Sequence, residues 1–147
     1  MKTLYVKKIK DIEKYCSDFR NELQEHLVCF HFTYDYRLLS REIIAKGTSM
    51  KCYSCQKEIM RSALKHNAYN MTIIHNHPEE NRATFSDADF QNAWNIKAIG
   101  LFFDMNITYL VITKKHIKKM NMRKELKKKP YKKMIKEICN RLSKYKF

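Results

Sequence analysis

The strongest restriction on the fold is the alternation of helix-like and strand-like segments along residues 8–113. Some segments repeat apolar residues at helical spacing, whereas others are short apolar or aromatic runs typical of strands. The pattern predicts a helix over 8–25, strands over 27–34 and 38–46, a helix over 54–67, a strand over 70–75, a helix over 86–103 and a strand over 107–113. This order favours an α/β sandwich, in which helices flank a curved mixed sheet.

The chain is long enough for one such domain. It has 147 residues, of which 44% are hydrophobic, 2 are Gly and 2 are Pro. A chain of this size can bury one sizeable core, and the scarcity of Gly and Pro argues against linkers and loop-rich scaffolds. We therefore expect one domain over residues 1–113, including the N-terminal helix, followed by a helical tail over 114–147.

Positive charge is concentrated in that tail. Residues 114–147 carry 15 basic and 2 acidic side chains, a formal charge of +13, whereas the whole chain carries +15. Such a block attracts phosphate, acidic lipid or an acidic protein surface, although a solvated helix face can have the same composition. The tail therefore predicts a nucleic-acid or acidic partner, with the solvated face as the alternative.

The cysteines and the termini bear on location. The chain has 5 cysteines, an odd number, and residues 1–10 are charged and lack the apolar core of a signal peptide. No apolar stretch approaches the ~20 residues that span a bilayer. We expect reduced thiols in a cytoplasmic protein without a membrane partner. Cys52-x-x-Cys55 suggests zinc or redox chemistry, but without a second such pair structural thiols are favoured.

The segment most informative about chemistry is HNHP at residues 75–78. Two histidines at positions i and i+2 of an extended backbone point to one side, so their nitrogens can reach a common point. Asp89, from the following helix, can supply a third ligand, and three N/O ligands suit a catalytic zinc that keeps a position for water. Zinc lowers the pKa of that water from ~15.7 to about 7. We predict one zinc per chain, held by His75, His77 and Asp89.

Hydrolysis also needs a base and a donor for the developing oxyanion. Glu42 lies within the apolar run 38–45, where an unpaired carboxylate is costly, and we predict that it acts on the metal-bound water. A structural ion pair with Lys or Arg is the alternative. The Ser86 hydroxyl can donate a hydrogen bond to the oxyanion of the tetrahedral intermediate formed when water attacks the carbonyl group. Ser86 and Asp89 also suit an ordinary helix N-terminus, and the two roles are compatible.

Together, Glu42, His75-x-His77 and Ser86-x-x-Asp89 resemble the JAMM motif of the JAB/MPN metalloprotease fold. The likeness to the RadC-like branch is closer still, and it covers roughly residues 27–113. It is carried by residues 42–48, 55–59, 63–64, 67–68 and 73–78. The resemblance implies a cytidine-deaminase-like sandwich, zinc on His75, His77 and Asp89, Glu42 as general acid/base and Ser86 assisting. It also implies hydrolysis of a peptide or isopeptide bond in a peptide or protein substrate.

Other classes of protein predict different features. In an inactive adaptor, the basic tail would bind nucleic acid and the binding would weaken steeply with salt. A zinc deaminase would need a Glu two residues after its first His and a later PCxxC, and the sequence has neither. The remaining histidines are expected as core or surface residues: His26, His31, His66 and His116.

Overall fold

One open five-stranded sheet organises the fold of the described residues. The computed structural model describes residues 5, 6, 8–47, 56–78, 81–127, 133, 136, 139, 140 and 143. Its elements are α1 (Ile9–Glu13), α2 (Ser17–Arg20), β1 (Glu25–Phe32), β2 (Leu38–Gly47), α3 (Gln56–Lys65), β3 (Asn70–Asn76), α4 (Asp87–Leu101), β4 (Asn106–Ile112), β5 (Ile117–Lys119) and α5 (Met122–Leu126). The strand order is β2-β1-β3-β4-β5. Only β3 and β4 are parallel, so the sheet is mixed.

Helices cover both faces of this sheet. On one face, α3 and α4 pack against alternate residues of β1, β3 and β4, among them Met71 and Ile73. On the other face, Phe19 and its neighbours in the N-terminal helices pack against Ile74. Because β3 has helices on both sides, all seven of its residues are buried, which explains its nearly continuous apolar run. The predicted α/β sandwich with a mixed sheet is confirmed.

The helix predicted over 8–25 is two short helices. The apolar spacing is real, since Ile12, Cys16 and Phe19 are all buried. The chain turns at residues 14–16, where the amides of Tyr15 and Cys16 donate to carbonyls three residues earlier. This tighter turn lets α1 and α2 both lie on the sheet, and β1 then begins at Glu25, inside the predicted helix.

The sheet also continues into the segment predicted to be a helical tail. β5 forms an edge strand, and Met120 after it is buried in the core beneath α3 and α4. Lys118 and Lys119 are exposed, and charged side chains of this kind protect the edge of a sheet. Residues 117–119 therefore form a strand, and among the described residues beyond it helical structure begins at α5, not at residue 114. Helical structure follows in α5 and at residues 133, 136, 139 and 140.

No helix among the described residues is long and apolar enough to cross a membrane. In the part of the chain that the structure describes, three cysteines carry free thiols: Cys16 and Cys29 are buried and Cys139 is exposed. The hypothesis for Cys52 and Cys55 lies outside the described residues.

Candidate metal centre

Two histidines converge at the carboxyl end of β3. His75 is in register with Val111 of β4, and the backbone amide of His77 donates to the carbonyl of Ile112 at 2.9 Å. The Nε2 atoms of the two histidines lie 2.7 Å apart, and both side chains are buried. The extended backbone thus puts both imidazoles on one side, as the i, i+2 spacing predicts.

Asn76, between the two histidines, ties this strand end to β1. Its Oδ1 accepts from the backbone amide of His26 at 2.6 Å, and its Nδ2 donates to the carbonyl of Gln24 at 3.0 Å. Alternation along the strand sends this side chain to the side opposite the imidazoles. By holding the strand end in place, Asn76 fixes the direction in which His75 and His77 point.

Asp89 reaches the histidines from the first turn of α4. Its Oδ1 lies 3.1 Å from Nε2 of His75, and its Oδ2 lies 3.5 Å from Nε2 of His77. Ser86 caps this helix, since its Oγ accepts from the Asp89 amide at 3.1 Å and donates to Oδ2 of Asp89 at 2.8 Å. The capping box therefore also orients the carboxylate. A role for Ser86 in assisting catalysis stays a prediction.

The three side chains make a donor set that suits a divalent metal ion. One ligand atom from each of His75, His77 and Asp89 lies within 4.8 Å of the others. Burial raises the pKa of Asp89, but hydrogen bonds from both histidines outweigh it and hold that pKa well below its usual range. Nδ1 of His75 is buried and has no hydrogen-bond partner among the described residues. Two imidazoles beside an ionised, desolvated carboxylate match the ligands of a catalytic zinc.

Glu42 lies on the same face of the sheet as these ligands. β2 pairs Glu42 with Cys29 of β1, and Cys29 pairs with Ile73 of β3, two residues before His75. Because side chains alternate along strands, Glu42, Ile73 and His75 project to the same side. The Glu42 oxygens are, however, not among the described ligand atoms that lie within 4.8 Å of one another. Its role as general acid/base stays a prediction.

The hydrogen bonds of Glu42 run to α3 and the residue after it. Its Oε2 accepts from Oγ of Ser62 at 2.5 Å, and its Oε1 accepts from Nε2 of His66 at 2.6 Å and Nζ of Lys65 at 3.1 Å. The hydrogen bonds from His66 and Ser62 lower the pKa of Glu42 to about 2. The ion pair with Lys65 is the alternative that the sequence left open for this carboxylate. This ion pair is present.

Sequence reasoning missed the residues around Glu42. Ser62 is buried and contacts both Glu42 and Nε2 of His31, and the His31 and His66 rings lie with their centroids 5.1 Å apart. A weak signal was available, because Ser62 and His66 have the i, i+4 spacing of one helix face. Nothing in the sequence showed that this face meets Glu42.

Comparison with known proteins gives one consistent result. The family model described as RadC-like JAB domain matches residues 6–125. A UPF0758 protein of Chlorobium chlorochromatii (strain CaD3) is 28% identical over 106 residues, which are 71% of this chain and 47% of that protein. A UPF0758 protein of Enterococcus faecalis (strain ATCC 700802 / V583) is 32% identical over 68 residues, 46% of this chain and 29% of that protein. The chain thus spans at most about half the length of these curated relatives.

Proposed function

Since this chain belongs to the RadC-like JAB domain family, we propose that it is a zinc-dependent hydrolase acting on peptide or isopeptide bonds. The observation that carries the proposal is the convergence of His75, His77 and Asp89 within 4.8 Å at the end of β3. These three side chains would hold the ion. Zinc bound by such a set makes water a nucleophile at neutral pH and polarises a carbonyl group.

The residues of the centre have distinct tasks in this proposal. His75 and His77 offer imidazole lone pairs as ligands, and burial keeps solvent away from both. The ring of Tyr109 packs 5.4 Å from the His75 ring, centroid to centroid, and restricts its tilt. Ser86 holds the Asp89 carboxylate in the direction of the histidines. The centre is therefore organised by hydrogen bonds and packing that do not depend on the substrate.

Glu42 is the proposed general acid/base. It would take a proton from the attacking water and deliver it to the leaving amine. Its position on the same sheet face as His75 supports this assignment. Its hydrogen bonds from His66 and Ser62 keep the carboxylate ionised, which is the state that a general base needs.

Metal content and turnover together test the proposal. We expect the purified protein to hold about one zinc per chain, His75→Ala to hold none, and Glu42→Gln to keep the metal but lose 10²-fold or more in peptide cleavage. His116→Ala, which changes an exposed histidine, is the matched control. Protein without zinc under zinc-replete conditions, or full activity in Glu42→Gln, would contradict the assignment.

A second candidate function rests on the charge of residues 114–147, which is +13. We propose that this segment can bind nucleic acid or an acidic protein, which in a catalytically weak protein would make it an adaptor. Because β5 belongs to the sheet, the test replaces Lys128, Lys129, Lys132, Lys133 and Lys136 by Gln in the full chain. Binding to a DNA duplex should weaken steeply with salt, and the variant should reduce that slope. An unchanged slope would reject nucleic-acid binding by this segment.

We also propose a reducing, cytoplasmic setting. The free thiols of Cys16 and Cys29 are buried, and burial raises the pKa of Cys16 to about 12. The Cys16 thiol therefore stays protonated, and both thiols pack as small apolar residues of the core.

A further inference from the structure

The Glu42 carboxylate is surrounded by hydrogen-bonding side chains that come from different parts of the fold. Three elements meet there: β1 contributes His31, β2 contributes Glu42, and α3 contributes Ser62. A cleft of about 210 Å³ opens between β2 and α3 beside these residues, and Glu58 and Arg61 also line it. Their charges are opposite, so together they leave little net charge there.

The direction of each hydrogen bond follows from counting protons. An ionised carboxylate can only accept, so the single proton of the Ser62 hydroxyl points to Oε2 of Glu42. The hydroxyl oxygen must then accept from Nε2 of His31, 3.1 Å away. Nε2 of His31 therefore carries a proton. Complete burial keeps the ring neutral at neutral pH, since it lowers the pKa of His31 to about 4.

The second oxygen of Glu42 is also held by a short hydrogen bond. Nε2 of His66 donates to it at 2.6 Å, while the same nitrogen lies 3.1 Å from Oγ of Ser40. Lys65 also reaches this oxygen, but its side chain is 67% exposed, so water screens the attraction. Ser62 and His66 are thus the two donors that fix where the carboxylate lies.

We propose that Ser62 and His66 are positioning residues for Glu42, which hold its carboxylate against α3 as the anion, with His31 orienting the Ser62 hydroxyl. This inference rests on the proposed function, in which Glu42 acts as general acid/base. A carboxylate surrounded by donors takes up a proton less readily. The two residues therefore set both the resting orientation of the base and the pH at which it becomes protonated.

Titration of the Glu42 side-chain carboxyl by ¹³C NMR tests the proposal without any substrate. In wild-type protein we expect protonation well below pH 4. Ser62→Ala and His66→Ala should each raise the midpoint by about one pH unit or more, because each removes a charge-assisted hydrogen bond. Ser62→Thr and His66→Gln keep a hydrogen-bond donor, so their Glu42 midpoints should lie close to the wild-type value. Lys65→Gln, the control for general charge, should change the midpoint far less.

The tautomer of His31 provides the second measurement. ¹⁵N shifts of the imidazole should show a proton on Nε2 and no titration above pH 5. An unchanged Glu42 midpoint in both alanine variants, or a His31 proton on Nδ1, would overturn the proposal. These outcomes are separate from the proposed function, which fails instead if the wild type binds no zinc or if Glu42→Gln remains fully active. If peptide cleavage is found, the acidic limb of its pH profile should move upward in Ser62→Ala.

Discussion

Two polar clusters lie on the same face of the sheet, and they are built in different ways. The candidate metal centre draws its three side chains from residues 75–89, at the end of β3 and the start of the next helix. The cluster around Glu42 takes its residues from β1, β2, α3 and the residue that follows α3, which are spread over residues 31–66. The first depends on a strand end and a helix cap, whereas the second depends on how a helix packs across two strands.

Asp89 and Glu42 differ in which contacts keep their carboxylates ionised. Burial raises the pKa of Asp89, and contacts with His75 and His77 lower it by more, so its charge is held by the same groups that would bind a metal. Glu42 is more exposed, and hydrogen bonds from His66 and Ser62 lower its pKa. Metal binding should therefore reorganise the contacts of Asp89 directly and leave those of Glu42 largely intact.

The largest expected effect is a loss of bound zinc that leaves the Glu42 cluster unchanged. Asp89→Ala should reduce bound zinc from about one per chain to near zero, because two neutral imidazoles alone are a weak site. Any thermal stabilisation by added zinc should disappear with it, while the ¹³C titration of Glu42 should stay unchanged. Metal analysis and melting curves measure these outcomes. Asp87→Ala, in the same helical turn, is the control, and zinc retention in Asp89→Ala would show that the ligand set is different.

The next largest effect comes from His31 in the Glu42 cluster, which should make the free energy of unfolding depend on pH. The pKa of His31 is about 4 in the folded protein and 6.5 without burial. Between these values the unfolded chain binds a proton that the folded protein does not, so stability should fall as pH falls from 6.5 to 4. One residue contributes on the order of 3 kcal/mol over that range.

Urea unfolding of the zinc-free protein at pH 7, 6, 5 and 4 measures this contribution. His31→Leu should flatten the decline relative to wild type, whereas His116→Ala should leave it nearly unchanged. Equal pH slopes in wild type and His31→Leu would mean that His31 is not held neutral by burial.

The smallest of these effects tests the link between the helix cap and the metal centre. Ser86→Ala removes the Oγ that accepts from the Asp89 amide and donates to the Asp89 carboxylate. We expect zinc affinity to fall about 10- to 100-fold and stability to fall by about 1 kcal/mol. Competition with a chelator measures the first and urea unfolding the second. Ser86→Thr should restore both, and unchanged affinity in the alanine variant would limit Ser86 to capping.

Much of the candidate metal centre could be predicted from the sequence, because strand alternation and helix capping depend on residues close together in the chain. The spacing of His75 and His77 determines that their side chains share one side of an extended backbone. Ser86 and Asp89 form a capping box, which places the carboxylate at the start of a helix wherever that helix lies. Their proximity in the chain left little freedom for the three ligands to end far apart.

The surroundings of Glu42 could not be predicted in the same way. The apolar pattern indicates that Glu42 lies in a strand, but not which helix crosses it. Its contacts with Ser62 and His66 join residues 20 and 24 positions apart, and they depend on the packing of α3 over β1 and β2. Local patterns carry no information about such packing.

The sequence by itself determined the α/β class, most of the strands and the grouping of His75, His77 and Asp89. Backbone periodicity and helix capping act over a few residues, so a pattern of residues suffices to reveal them. Only the tertiary structure decided the division of the N-terminal helix, the addition of β5 and the partners of Glu42. These depend on which surfaces meet when distant segments pack, and packing energy is shared among residues far apart in the chain.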